Sequence, residues 1–252
     1  MLKQILRQLF IYSRLMFGKL NSTNYWSIHK VNHKSFNSRD ESLEHFHWRN
    51  SQYPGYIQLM PVSKQDGKIV LDYGCGPGND LVGFAEFSNV KELIAVDVSK
   101  PALDLAKKRI LLHNQDVNFI HIEENENKIP LENNSVDFIH SSGVLHHCKN
   151  LNKILSEFKR ILRPGGEMNI MVYNYFSIWV HLYTAYIFQI EKGRYSKMSL
   201  NEAFSRLTDG KYAPISKNFK PNEFLSIVNK MGFEGKLNGV SISLTEMMCL
   251  NK

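Results

Sequence analysis

The sequence predicts an α/β fold built on a doubly wound parallel sheet, and three observations carry that prediction. Short β-rich runs alternate with helical stretches between residues 68 and 174, the rhythm of a parallel sheet covered on both faces. The first run, KIVLDYG, reads as a buried strand. That run ends in VLDYGCGPGND (70–80), three glycines each one residue apart, where a tight strand-to-helix turn is required.

Taken in order, KIVLDYG (68–74) reads as the first strand and DLVGFAEF as the helix after it. ELIAVDV (92–98) is a second strand. PALDLAKKRILLHN (101–114) is a helix opened by proline, where the missing N–H costs nothing. VNFIHIE (117–123) and SVDFIHSS (135–142) are the third and fourth strands. LNKILSEFKRIL (151–162) has amphipathic helical spacing and stops at Arg163-Pro164-Gly165-Gly166, before a fifth strand at EMNIMVYN (167–174). Beyond it, SIWVHLYTAYIFQI (177–190) is a long aromatic helical run, and nothing up to Phe219 reads as a strand. PNEFLSIVNKMGF (221–233) is a helix ending at Gly232, and GVSISLTEM (239–247) reads as a last strand.

A length of 252 residues suits one domain with additions: an N-terminal amphipathic arm and lid over 1–66, and a main domain over 67–252 carrying an insertion at about 175–220. Three scattered cysteines imply no disulfide framework and fit a reducing compartment, so a cytoplasmic location is expected. The net charge of +7 favours anionic partners. From Met1 to Arg39 there are seven Lys or Arg and no acid. Residues 1–20 form an amphipathic pattern interrupted by four charges, which argues against a membrane span and a secretory signal. Three uses stay open: packing on the domain, lying on an anionic membrane surface, or organellar targeting.

Glycines at the first strand–helix turn allow a ligand to approach the backbone closely. The spacing of Gly74, Gly76 and Gly78 is one residue shorter than the dinucleotide fingerprint, and no Gly-Lys-Ser/Thr follows, so pyrophosphate and nucleotide triphosphate are disfavoured. Asp97 closes the second strand roughly 20 residues on, where an acid takes a ribose diol. Asp72, beside the glycine turn, would repel phosphate and attract an ammonium group. Glycine turn, ribose acid and amine acid together describe S-adenosylmethionine.

VLDYGCGPG, AVDVS, IPLENNSVDFIHSSGVLHH and ILSEFKRILRPGGEMNI, in that order over about 68–174, resemble the successive motifs of class I S-adenosylmethionine-dependent methyltransferases. The subgroup they resemble is the small-molecule type that includes ubiquinone/menaquinone-biosynthesis methyltransferases. The resemblance implies a Rossmann-like, seven-stranded sheet with an antiparallel last strand, which 239–247 would supply. It implies that Asp72 and the Gly74–Gly78 backbone hold the methionine moiety. Asp97 would take the ribose with Val98 against the adenine, Glu124 or Asn125 would lie near the adenine amine, and Ser142 and Gly143 would approach through backbone atoms. The product would be S-adenosylhomocysteine.

A sulfonium methyl needs no metal; it needs an aligned acceptor and, for a hydroxyl, phenol or enolisable carbon, a base. His146 and His147, past the fourth strand, are the candidates. Adjacent side chains point apart, so His146-His147-Cys148 does not read as a metal site. The acceptor pocket is expected from HFHWRNSQYPGY (45–56), with Trp48, Arg49, Tyr53 and Tyr56, and from Tyr173, Asn174, Tyr175, Trp179, Tyr183 and Tyr186, of which two or three should touch substrate. Arg206, Thr208, Asp209 and Gly210 form a polar turn that either reads substrate hydroxyls or is only a loop. Two other readings stand: an RNA or protein methyltransferase, which the charge suits although no nucleic-acid motif is present, and a non-catalytic scaffold retaining the fold. The acceptor and the oligomeric state are not legible.

Overall fold

The computed structural model describes residues 21–29, 34–124 and 128–249. Among them, five parallel strands form one sheet: β1 (Ile69–Tyr73), β2 (Glu92–Asp97), β3 (Asn118–His121), β4 (Val136–Ser142) and β5 (Leu162–Met171). Their order is β3-β2-β1-β4-β5. Strand β1 is central and buried throughout, and it pairs Asp72 with Ala95 of β2 and with His140 of β4. The chain leaves β1 toward one side and returns on the other, so the switch point of the sheet lies at the carboxyl end of β1, beside the glycines.

Each face of the sheet carries its own apolar core. On one side lie α4 (Asn79–Phe87), α5 (Lys100–Leu111) and Phe46 of α2 (Arg39–Ser51), with Leu81, Phe84, Leu103 and Ile110 buried against β1 and β2. On the other lies α6 (Leu151–Ile161), which buries Leu151, Leu155, Phe158 and Ile161. Their spacing places them on one helical stripe. Ser99 caps α5 by accepting from the Ala102 N–H, with Pro101 in the first turn. Gly78 starts α4 at φ +80°, and a Cβ there would stand 3.1 Å from that of Ala106, so glycine also lets α4 close on α5.

Two expectations change. Strand β5 begins at Leu162, so Arg163-Pro164-Gly165-Gly166 belongs to it as an irregular stretch, with a register shift opposite Val136 and Phe138. The last strand is not found: 239–243 pairs with no strand and the chain then winds into α10 (Leu244–Cys249). Its polar groups are taken up elsewhere, Leu244 N–H donating to Gln52 O and Ser241 Oγ to Pro54 O. Neither seven strands nor an antiparallel edge is therefore present among the described residues.

The insertion is tied at its base, where Phe219 N–H donates to Tyr173 O and Tyr175 N–H to Phe219 O. Between those ties lie α7 (Trp179–Glu191), wound as a wide π-type coil, and α8 (Leu200–Thr208), started by a Ser199–Glu202 capping box. After it comes α9 (Pro221–Lys230), with Pro at its start and Gly232 just past its end. Before the sheet stand α1 (Ser22–Ile28), α2 and the short α3 (Tyr56–Leu59). The amphipathic pattern of 1–20 lies outside the described residues.

Candidate active site

A cavity of about 1140 Å³ opens at the carboxyl end of β1, where the sheet order reverses. Its floor is the turn Gly74–Pro77, with Gly74, Gly76 and Gly78 all at positive φ. A Cβ on Gly74 would lie 2.2 Å from Val144 Cγ2, so this crossing point of two cavity-lining loops admits only glycine.

Asp97 shapes that floor. Its Oδ2 accepts from the Gly76 N–H at 2.8 Å and its Oδ1 from the Ser99 N–H at 2.8 Å. Each oxygen keeps a second acceptor site for a ribose hydroxyl. Burial raises the Asp97 pKa, against the pull of those backbone N–H groups. Val98 and Ile122 line the wall beside it.

At the other end of the floor sits a buried ionic cluster. Asp72 is 2% exposed, lines the cavity, and its Oδ2 has no hydrogen-bond partner. Burial pushes its carboxyl pKa up to about 7. Behind it, Asp80 Oδ1 accepts from Arg49 Nη1 at 3.1 Å and Asp80 Oδ2 from His140 Nε2 at 3.2 Å. Burial opposes ionisation of Asp80, but Arg49 and His140 outweigh it and hold the group below the usual carboxylate range. Burial likewise opposes the charge on His140, and the bond to Asp80 reverses that and raises its pKa. Arg49 lies 4.4 Å over the Tyr56 ring and is one of the residues lining the cavity. The Tyr56 hydroxyl shares a hydrogen bond with Ser142 Oγ at 2.5 Å.

The third region lies between the core and the insertion. His147 Nδ1 donates to Ile215 O at 2.9 Å, which leaves Nε2 as the lone-pair nitrogen, 3.9 Å from Asp209 Oδ1. Burial lowers its pKa, with Asp209 opposing, so the neutral imidazole prevails near pH 7. Asp209 in turn accepts from Tyr173 Oη at 3.2 Å and from Ser216 Oγ, and its backbone carbonyl accepts from Tyr25 Oη. His147, Tyr173, Thr208 and Asp209 all line the cavity.

A roof comes from α1. Glu124 accepts from Ser22 N–H at 2.7 Å and Ser22 Oγ at 3.0 Å, anchoring the helix by its first turn. Ser99 Oγ donates to Trp26 O, and the Trp26 ring packs against His147 with centroids 4.6 Å apart. Ser22, Trp26 and His29 all face the cavity.

The cavity therefore brings together Asp72, Gly74, Gly76, Asp97, Val98, Glu124, Ser142, Gly143, Arg49, His147 and Tyr173 from the residues the sequence singled out. Gly78 lies just behind the floor as the start of α4. Asn125 falls outside the described residues. His146 is fully buried away from the cavity, its ring on that of Tyr173 at 3.7 Å, and neither of its nitrogens has a partner. Tyr53 is 42% exposed and outside the lining. Asn174 accepts from Phe176 N–H at the base of the insertion. Trp179 Nε1 donates to Thr208 Oγ1, and Tyr183 Oη to Glu246 O, so both brace the insertion outside the cavity lining. Tyr186 points outward, 55% exposed.

Sequence reasoning missed α1, Asp80 and His140. Asn21 before STNYWSI is a legible cap, but docking on a glutamate about a hundred residues away leaves no local signal.

Comparison with known proteins agrees with this geometry. Residues 71–170 match the family model described as a methyltransferase domain. A malonyl-[acyl-carrier protein] O-methyltransferase of Yersinia pestis is 35% identical over 43% of this chain and 38% of its own length. A ubiquinone/menaquinone biosynthesis C-methyltransferase of Brucella canis is 25% identical over 71% of this chain and 66% of its own. An uncharacterized methyltransferase of Schizosaccharomyces pombe is 32% identical over 47% and 44%. The chain spans less than half the length of the Yersinia pestis and Schizosaccharomyces pombe relatives. Among solved structures, a chain in a complex of the Haloferax volcanii Trm112 methyltransferase activator with a methyltransferase shares the fold at TM-score 0.53. It is 18% identical over 82% of this chain and 77% of its own. A Bacillus halodurans methyltransferase does so at 0.52, 20% identical over 71% and 69%. The sheet with its switch point at β1 and the glycine turn under Asp97 thus agree with the match of residues 71–170 to a methyltransferase domain.

Proposed function

We propose that this protein methylates a small-molecule acceptor at an oxygen or an activated carbon, using S-adenosylmethionine as donor. The observation that carries the reading is Asp72: a buried carboxylate on the cavity wall with one oxygen unpartnered, which a ligand ammonium would satisfy. Arg49 in the same wall suits the carboxylate of the same amino-acid moiety. Asp97 with its free acceptor sites suits the ribose, and Val98 and Ile122 suit the adenine. When bound, S-adenosylmethionine supplies an electrophilic sulfonium methyl.

What remains for the chain is to hold the acceptor, keep water out and take a proton. His147 fits the last task, because the Ile215 carbonyl holds it in one tautomer with Nε2 as the basic atom. Once protonated there, it gains Asp209 as a counter-charge at 3.9 Å. Trp26 and α1 cover this end of the cavity and suit the exclusion of water. Oxygen and carbon acceptors both draw support from the relatives, one an O-methyltransferase and one a C-methyltransferase.

Calorimetric titration with S-adenosylhomocysteine tests the donor site directly. Saturable one-site binding is expected, and a folded chain that binds none would sink the reading. With an acceptor identified from a panel of phenols, enols and hydroxy acids using methyl-labelled donor, His147→Gln is expected to lower kcat by roughly 10²–10⁴. The same change should leave S-adenosylhomocysteine affinity within about threefold and remove the acid limb of the pH–rate profile. An unchanged profile would remove His147 from the chemistry.

A further inference from the structure

The aromatic helix α7 is mostly unused by the cavity. It buries Val180, Tyr183 and Thr184 against the rest of the insertion and its surroundings. Its other side is open, with Ile190 72% and Tyr186 55% exposed beside His181 and Glu191, and Phe176, three residues before the helix, is 62% exposed. A π-type coil completes a turn in about four to five residues, so His181, Tyr186 and Ile190, all exposed, lie along one side. The Phe176 ring extends that side by stacking on His181 at 6.4 Å and 18°. At its far end come the exposed cations Lys192, Arg194 and Lys197. Arg194 lies over the rings of Phe188 and Tyr195, and Lys192 over Phe188.

Charge follows the same address. Residues 175–220 hold seven Lys or Arg against three acids, and one of those acids, Asp209, is buried in the site. Aromatic and aliphatic tips beside a cationic end are the composition of an interfacial helix, whose apolar side enters the lipid boundary while its cations meet acidic headgroups. Among the described residues no helix is long and apolar enough to cross a membrane, so contact would be with the surface alone.

We propose that the exposed face of α7, from Phe176 to Ile190 with Lys192, Arg194 and Lys197, docks the protein on an anionic lipid bilayer. This surface lies within residues 176–197 and does not depend on the identity of the methyl acceptor.

Vesicle flotation of the full chain tests it, comparing phosphatidylcholine vesicles with vesicles of 70% phosphatidylcholine and 30% phosphatidylglycerol. The chain is expected to float with the anionic vesicles and at least about tenfold less with the neutral ones. Tyr186→Asp/Ile190→Asp and, separately, Lys192→Glu/Arg194→Glu/Lys197→Glu should each weaken flotation about tenfold or more. Both variants change exposed side chains, and unaltered binding of S-adenosylhomocysteine checks their folding. Failure of the wild-type chain to float overturns the proposal. So does flotation that both variants retain, since residues 1–20 or another surface would then carry it. Wild-type chains that sediment as dimers, with Tyr186→Asp/Ile190→Asp monomeric, would assign the face to a second copy of this chain and likewise overturn it.

Discussion

Asp72→Asn is expected to weaken S-adenosylhomocysteine binding by at least about 100-fold while raising the melting temperature of the free protein. The two effects have one cause. Asp72 is buried, has an unpartnered oxygen and has its carboxyl pKa raised to about 7 by burial. A carboxyl whose folded pKa lies above its unfolded value of about 3.9 costs stability as pH rises from the lower value to the higher. Above pH 7 the whole cost is present, and below pH 4 none of it is. Asn removes it, so the gain in melting temperature should be several degrees at pH 8 and should fade toward pH 4. Binding should show the complementary slope. An ammonium bound against Asp72 requires the ionised form, so wild-type affinity should climb up to tenfold per pH unit below pH 7 and level off above it. The charged groups facing Asp72 are His140, Asp80, Asp97 and Arg49. Of these, Asp80 keeps its charge through this window, held low by Arg49 and His140 against burial, and the bond to Asp80 raises the His140 pKa against burial. Scanning calorimetry across pH, with titrations in the same buffers, reads both slopes. A variant no more stable at pH 8 and still able to bind would remove Asp72 from the donor site.

The floor of the cavity was legible because its instructions are local. A strand, three glycines and an acid at the end of the next strand specify a turn whose geometry needs few distant residues, and Asp97 reaches Gly76 across adjacent parallel strands. The tail misled for the opposite reason. VSISL alternates as a strand should, but a strand exists only beside a partner, and the polar groups of this segment instead pair with Gln52 and Pro54. His146 and His147 were equivalent as letters. In the short 3-10 turn Leu145–His147 they part, one ring against Tyr173 in the interior and the other under Trp26 at the cavity. The aromatic run 177–190 was read as acceptor pocket, yet the winding of α7 turns Tyr186 and Ile190 outward and seats Tyr183 under the C-terminal helix. Arg49 was legible as a cavity residue but its partner was not, because Asp80 lies on another helix and carries the ordinary signature of a first-turn acid.

That pairing leads to the second large effect, which ligand truncation can isolate. Arg49→Met should weaken S-adenosylhomocysteine by roughly 30-fold, about 2 kcal/mol, and leave 5′-methylthioadenosine, which lacks the amino acid, within about threefold of wild type. Arg49 donates from Nη1 to Asp80 and Asn50 and from Nη2 to Asp80, and its five-donor guanidinium still retains N–H groups for a ligand carboxylate. Holding that guanidinium against Asp80 and over Tyr56 fixes its direction before the ligand arrives. Methionine keeps the apolar stem over the Tyr56 ring but strips Asp80 of a cation, leaving His140 Nε2 and Tyr56 Oη as its partners at 3.2 and 3.4 Å. The variant should therefore melt several degrees lower, since a buried carboxylate has lost its ion pair. The truncated ligand separates that structural cost from the lost contact. If both ligands weaken alike, Arg49 acts only by shaping the wall through Asp80. If neither weakens, the carboxylate of the donor binds elsewhere, and the pairing of Asp72 with Arg49 as a clamp for a zwitterion fails.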